Sequence, residues 1–481
     1  MNDAILSQAK DLLSKNYSFE EIKQILSNKG LLDSDIDDVL SEAVRKLNSL
    51  KEDSNKRFFK QIGWKELFDR IGYGFVSHPF INILFSLSGA SYLVIGLVNG
   101  LRMIFSLLLS SFLKEFSKLQ DLSKKFISLA GVLYGFSFLL MSFGVVLKSP
   151  LFYALAFLMG GIGVVIHGEL YTGFLKRNLR RECMGGMLCF LSKFGIIITI
   201  ISMIVSGFIM DLFPVYGKVL SFSLFGFAFN VNIYGYLISF EITAIVFIIS
   251  GLMLSYIKQK EFVVEHTFSS FLPKFLDSVN VHFKFFFKNK AVFLLALSSL
   301  ITGMVQMLGN SFYGIFIYDY FKNDFFGGFL NVAVVFSVAA LFSFTGPWFM
   351  KVLHKHIGIS PMLVFGTLLT GMLPLSLVFN PHFLVVVVAT ALSIIGASIL
   401  GMAQGFFAKK LLSEQERSVY FSFLGVFLTI PLLVFIPLGS LVAQHSLLLL
   451  FKVILFVLVF VATPIYFVTV LLYEKSLEKM F

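Results

Sequence analysis

PLFYALAFLMGGIGVVIHGELYTGFL, residues 150–175, carries a single carboxylate, Glu169, and no Lys or Arg. About 20 apolar residues suffice for a helix to cross some 30 Å of hydrocarbon. The run has no period-two alternation, so it reads as a membrane helix and not as a barrel strand. A second stretch, FLVVVVATALSIIGASILGMAQGFFA at 383–408, has the same character. Sliding one onto the other by 233 positions pairs Leu151 with Leu384, Ala156 with Ala389, Ile162 with Ile395, Gly163 with Gly396, Gly168 with Gly401, Phe174 with Phe407 and Lys176 with Lys409. Seven identities in 27 positions, where the biased composition alone would give about two or three, suggest two parallel copies of one unit.

The whole chain follows this pattern. Of its 481 residues 57% are hydrophobic and only 14% charged, and 60 are Phe. A water-soluble body carries about 25% charged residues and rarely exposes apolar patches of the size implied here, which excludes an ordinary soluble enzyme. Twelve segments are apolar and long enough to span: 65–88, 92–114, 125–147, 150–175, 184–212, 233–257, 291–318, 326–350, 360–379, 383–408, 418–443 and 447–473. In hydrocarbon only helices or closed barrels satisfy the backbone, so the fold class is an all-α membrane protein of twelve transmembrane helices. Asp69, Arg70 and His78 interrupt the first segment, making it the weakest.

Lys and Arg fall unevenly between the two sets of loops: twenty-one on one side against Lys148, Lys218 and Lys322 on the other. Cytoplasmic loops carry the excess, so both termini are expected in the cytoplasm and the chain in the cell membrane. The formal net charge of +11 then reports topology and a contact with anionic lipid heads, with no need for nucleic acid. Cys183 and Cys189 are too few for a disulfide framework and lack metal-ligand spacing.

Residues 1–57 form a separate, nearly neutral unit, expected to be a small soluble helical domain in the cytoplasm. Ser18 and Glu21 make a capping-box pattern at the head of a helix ending near Gly30. Ile36, Val39, Leu40, Val44 and Leu47 follow helical spacing in the next. The unit packs on itself or on the membrane body, or binds a protein partner. Beyond the polar linker 48–57, the chain divides into a first six-helix bundle at 65–257, a cytoplasmic loop at 258–290 and a second bundle at 291–475.

Charge and polarity inside hydrocarbon mark candidate sites, because burying them costs several kcal/mol. In the first half these are His78, Arg102, Glu169, Lys193 and Glu241. Arg102 lies about 15 Å along its helix from residue 92, near mid-depth. The second half offers neutral groups: Gln306, Asn310 and Tyr313, spaced i, i+4, i+7 on one face, and Gln404. Each of these could hydrogen-bond a substrate or simply join two helices. Neither a P-loop nor a G-x-S-x-G or H-E-x-x-H motif occurs, so no enzyme, cofactor or metal is expected.

Leu87 to Gly96 (LSGASYLVIG), Lys176 to Gly186 (KRNLRRECMGG) and Ser413 to Arg417 (SEQER) resemble the junctions of a major facilitator superfamily transporter. The resemblance covers 65–475 and rests also on the six-plus-six plan. The family signature G-x-L-A-D-R-x-G-R-R is missing after the second segment, where Phe112 to Lys118 (FLKEFSK) stands, and Gly346, Lys351, Lys355 and Gly358 keep a faint copy. The resemblance implies alternating access, a cavity lined by the first, fourth, seventh and tenth helices, and a small-molecule substrate. Proton coupling is expected at Glu169, against a fixed Glu169–Lys193 pair as the alternative. A transport-inactive receptor or scaffold and a polytopic membrane transferase are the rival classes. The loop at 213–232 holds only Lys218 among charged residues, which disfavours the transferase.

The charge asymmetry makes a topological prediction. A cysteine at Ser221 should react with an impermeant thiol reagent from outside the cell, and one at Ser269 only from inside; reaction of both from one side contradicts the orientation.

Overall fold

The computed structural model describes residues 9, 19–27, 36, 39, 42, 58–119, 124–178, 181–213, 218–224, 227–257, 290–343, 345–379 and 381–478. The linker 48–57, the capping Ser18, and the loop 258–290 except Lys290 lie outside them. By contacts the chain separates into Met1–Lys65 and Glu66–Phe481. In the first unit α1, Phe19–Ser27, occupies the place where the Ser18 pattern predicts a helix, and it buries Ile22 and Leu26 on one side.

Among the described residues, the second unit is helical apart from one hairpin. Helix α2, 58–75, includes the Lys65/Glu66 boundary, and α3 (His78–Leu87), α4 (Tyr92–Leu119), α5 (Lys124–Val146), α6 (Pro150–Asn178), α7 (Arg181–Leu212) and α8 (Gly235–Ser255) follow. Strands β1 (Lys218–Leu224) and β2 (Phe227–Ile233) pair antiparallel between α7 and α8, inside the stretch taken as a loop from the sequence. Next come α9 (Lys290–Phe321), α10 (Gly328–Ser343), α11 (Gly346–Ile357), α12 (Ile359–Thr370), α13 (Met372–Phe379) and α14 (Phe383–Leu411). The chain ends with α15 (Glu414–His445), α16 (Leu447–Phe456), a π-helical turn at Val457–Ala462 and α17 (Thr463–Glu478).

Among the described residues nine helices are long and apolar enough to cross a membrane, and a tenth span results if α10 and α11, bent by 50°, count as one. Of the expected twelve, the first and eighth are interrupted, and the eleventh falls in a helix whose described apolar part is Pro431–His445. The first segment is interrupted at Ser77, which is extended and stands before Pro79 at the head of α3. Proline has no N–H to give and its ring crowds the preceding turn, so the helix restarts there. The eighth segment turns at Thr345 before Gly346-Pro347. The eleventh lies within α15, which contains Pro431 and Pro437. Pro464 opens α17 after the π turn, where the Thr463 hydroxyl donates to the Leu458 carbonyl at 2.8 Å. Ser413 and Glu416 form a capping box at the start of α15, which gives the SEQER stretch a local structural role. Phe112 to Lys118 is the last part of α4 and not a loop.

Helices α2–α8 and α9–α17 make two groups. Within the first, α5 packs on α6 and α8; within the second, α14 packs on α12 and α10. Between them run two main seams, α4 against α15 and α7 against α10, and α3 also meets α9. Added Cβ atoms at Gly96 and Gly100 would strike Ser440 and Ile436, so α4 and α15 approach closely only because these two positions are glycine. The Leu93 N–H donates to Gln444 Oε1 at 3.2 Å beside them. At the second seam Asp211, near the end of α7, accepts from the Phe329 N–H at 2.9 Å and the Leu330 N–H at 2.6 Å. It thereby caps α10, whose first-turn amides have no partner in their own helix. The turn leading in needs Gly327 at φ +118°, with Asp211 packed against it. All these contacts lie toward the ends of the helices that carry Lys148 and Lys322, opposite Lys125, Lys351, Lys355, Lys409 and Lys410. We call these the far end and the basic end.

Asp211 is thus a latch between the two groups. Asp211→Ala should cost about 1–2 kcal/mol, as loss of a cap does. It should also slow bifunctional cross-linking of the pair L93C/Q444C at the far end; an unchanged cross-linking rate and unfolding midpoint contradict the latch.

Candidate functional site

A cavity of about 610 Å³ lies between the two groups of helices. Its wall comprises His78 and Pro79 of α3, Asn99, Arg102, Met103 and Ser106 of α4, and Gly303, Gln306, Met307, Asn310 and Ser311 of α9. Phe336 of α10 and Ile394 of α14 complete it. Asn99, Arg102 or Met103, and Ser106 follow one another at three or four residues, so one stripe of α4 faces the cavity. Gly303, Gln306 and Asn310 form the matching stripe of α9. The first, seventh and tenth segments contribute as the family resemblance implies, but the second and eighth also line the wall. The fourth, α6, acts from behind.

That support concerns Arg102. Its stem lies along α6 at Gly161, where a Cβ would come within 2.8 Å of the Arg102 Cγ. Its guanidinium sits over the Phe157 ring, 4.3 Å from the centroid. A cation over an aromatic face gains about 0.5–2 kcal/mol, less than a paired carboxylate would return. Tyr73, Tyr134, Tyr153 and the His78 ring lie within electrostatic range of the guanidinium. None of the residues lining the cavity is acidic.

A chain of amides joins the wall to its surroundings. Asn99 Nδ2 donates to the Ile95 carbonyl at 3.0 Å and to Asn82 Oδ1 at 2.9 Å. Asn82 Nδ2 in turn reaches the Asn310 carbonyl at 3.4 Å and His78 Nδ1 at 3.2 Å. The two carbonyls can only accept, so they fix which way each amide points. His78 Nδ1 therefore accepts, and the neutral ring carries its proton on Nε2. Asn82 is fully buried and Asn99 is 5% exposed. This network ties α3 and α4 to α9, and with them the two halves of the molecule.

The sequence candidates divide in three. His78, Arg102, Gln306 and Asn310 come together on the cavity wall. Tyr313 is buried beside Gly309 and against Phe451, with ring centroids 5.2 Å apart, one turn past the wall. Gln404 donates to the Tyr466 hydroxyl, which lies 3.4 Å from Thr302 Oγ1, and so links α14, α17 and α9. Glu169 accepts from Ser110 Oγ at 2.5 Å, one turn beyond Ser106 on the cavity stripe of α4. Lys193 and Glu241 are exposed on α7 and α8. Asn82, Asn99 and Ser106 were missed, because in the first half only charged residues were sought. The neutral-amide criterion applied to the second half would have found both asparagines.

Asn82→Leu should cost about 1–3 kcal/mol, since it leaves Asn99 and the Asn310 carbonyl without their partner. Unfolding of the purified protein in detergent measures this; a variant as stable as the parent contradicts the network.

Comparison with known proteins places the fold. No protein-family model matches the chain, and no curated protein matches its sequence. Solved structures do. The nucleoside transporter NupG superposes with a TM-score of 0.64 at 13% identity, covering 87% of this chain and 99% of that one. A bacterial homologue of the iron transporter ferroportin, in its inward-facing state, gives 0.64 at 15% identity over 86% and 98%. A bacterial homologue of the lysosomal transporter Spinster gives 0.59 at 13% over 88% and 98%. The chain has the major-facilitator-like fold of these transporters.

Proposed function

We propose that the protein is a secondary carrier that moves a small solute across the membrane by alternating access, with the central cavity as its binding site. The observation that supports this best is the cavity itself. It lies between the two groups of helices, farther along than the seam contacts at Gly96, Gly207 and Asp211. A site at the junction of two repeats is what a rocking carrier requires. The transporters that share the fold favour the same reading.

The finer parts of the proposal follow from sequence and geometry together. The chain crosses the cell membrane twelve times, with α2–α3 and α15 as broken or proline-bearing spans. The basic end and both termini face the cytoplasm, where the Lys and Arg loops meet anionic lipid heads. Residues 1–57 act as a cytoplasmic helical domain that serves as a docking element for a protein partner.

Glu169 is the proposed proton-coupling residue. Ser106 lines the cavity and Ser110, one turn on toward the basic end, holds the Glu169 carboxylate. A continuous polar stripe thus leads from Arg102 to Glu169, about 12 Å along the α4 axis. A carboxylate at such a place can take or release a proton as water access changes sides.

Substrate uptake into proteoliposomes under an imposed pH gradient tests the coupling. Glu169→Gln should abolish proton-driven accumulation and leave substrate exchange within about twofold of the parent. Accumulation that survives the substitution removes Glu169 from the coupling role.

A further inference from the structure

The charge balance of the cavity points to what it carries. Among the described residues on the wall, Arg102 alone is permanently charged. The recorded supports of its side chain are an aromatic face and a glycine groove, neither of which brings negative charge. Two first-half carboxylates are bound to serines away from the cavity wall. Asp69 accepts from Ser250 on α8, and Glu169 accepts from Ser110 two helical turns from Arg102. Holding a guanidinium at mid-depth is expensive unless a counter-charge arrives.

Two further features of the wall bear on the ligand. Asn99 Oδ1 is buried and accepts no hydrogen bond among the described residues, while the Nδ2 of the same side chain donates to Ile95 and Asn82. It is an acceptor waiting for a donor. His78, held neutral through Nδ1, keeps Nε2–H as a donor at the cavity edge. His78 and Pro79 also bring the start of α3 to the wall, where Ser77 makes no side-chain cap and its buried hydroxyl has no partner among the described residues. The positive end of a ten-residue helix therefore faces the same space as Arg102.

Resting on the carrier reading above, we propose that the cargo is a small organic anion, a carboxylate or phosphate monoester, that also bears a hydroxyl or N–H donor. The anionic group pairs with Arg102 and receives hydrogen bonds from the His78 side of the wall, and the ligand's donor satisfies Asn99 Oδ1. Gln306 and Asn310 meet the remaining polar groups from α9. A cavity of 610 Å³ matches the size range of sites for metabolite-sized ligands.

The test is a thermal-shift titration of the purified full chain with gluconate, glucose 6-phosphate, propionate, neutral glucose and cationic choline. A ligand that binds the folded state raises the midpoint with concentration. Stabilisation by at least one of the hydroxylated anions, with none from glucose or choline, supports the proposal. Arg102→Met should leave the free protein at least as stable as the parent, since an unpaired charge is removed, and should weaken the anion at least about thirtyfold. Arg102→Lys should keep part of the response. Asn99→Leu should weaken gluconate or glucose 6-phosphate while leaving any propionate response unchanged. A protein that answers to no anion, or that answers to glucose or choline, overturns the proposal, as does an anion response unaltered in R102M. Anion binding without alternating movement of the two ends would instead sink the carrier reading and leave the site standing. Movement without anion binding would sink only the substrate class.

Discussion

Close approach of helices across the two seams is the constraint on which the rest of this molecule depends. In lipid no hydrophobic force drives one apolar helix onto another, so association needs short distances and polar contacts. Gly96 and Gly100 let α4 lie directly on Ser440 and Ile436 of α15, and Gly314 does the same for α9 against Pro79. At the other seam Gly207 meets Ala333 and the Phe329 backbone, and the Asp211 carboxylate holds the first amides of α10. Because these contacts gather toward one end, the two groups of helices can part around a polar space farther along. Fusing the seams over their whole length would remove the cavity.

That space needs a polar wall without letting the wall collapse on itself. The amide chain from His78 through Asn82 to Asn99 meets this need by using backbone carbonyls of Ile95 and Asn310 as fixed anchors. Buried amides whose donors are all engaged are stiff, and the acceptor left over on Asn99 is positioned before any ligand arrives. Arg102 is preorganised in the same way, its stem laid in the groove that Gly161 leaves open and its head supported by Phe157. Binding then costs little side-chain ordering.

Much of the fold was legible in the sequence because membrane spans are dictated by a single strong rule, unbroken apolar length. The fourth and tenth segments stand in the structure as α6 and α14 with ends within a few residues of those expected. Breaks inside spans were harder to see, since apolar length runs on across Pro79 and Pro347 although each proline starts a new helix. The hairpin at 218–233 was missed because its strands sit in a stretch read only for charged residues. For the cavity, buried charge led to Arg102 and His78, and helical spacing led to Gln306 and Asn310. The same spacing could not tell that Tyr313 turns into the packing against Phe451, or that Gln404 is held by Tyr466. Those outcomes depend on which helix lies opposite, a long-range fact with no local signature.

The central claim is that the two ends of the cavity open alternately. Electron paramagnetic distance measurements on the otherwise intact protein in lipid nanodiscs address it most directly. One spin-label pair would sit across the far end, at Ser91 and His445, and another across the basic end, at Lys125 and Lys409. The account predicts two populations related reciprocally: where the far-end distance is long, the basic-end distance is short, and the balance shifts when a transported solute is added. A single distance at each end, unmoved by solutes and by pH, would contradict it.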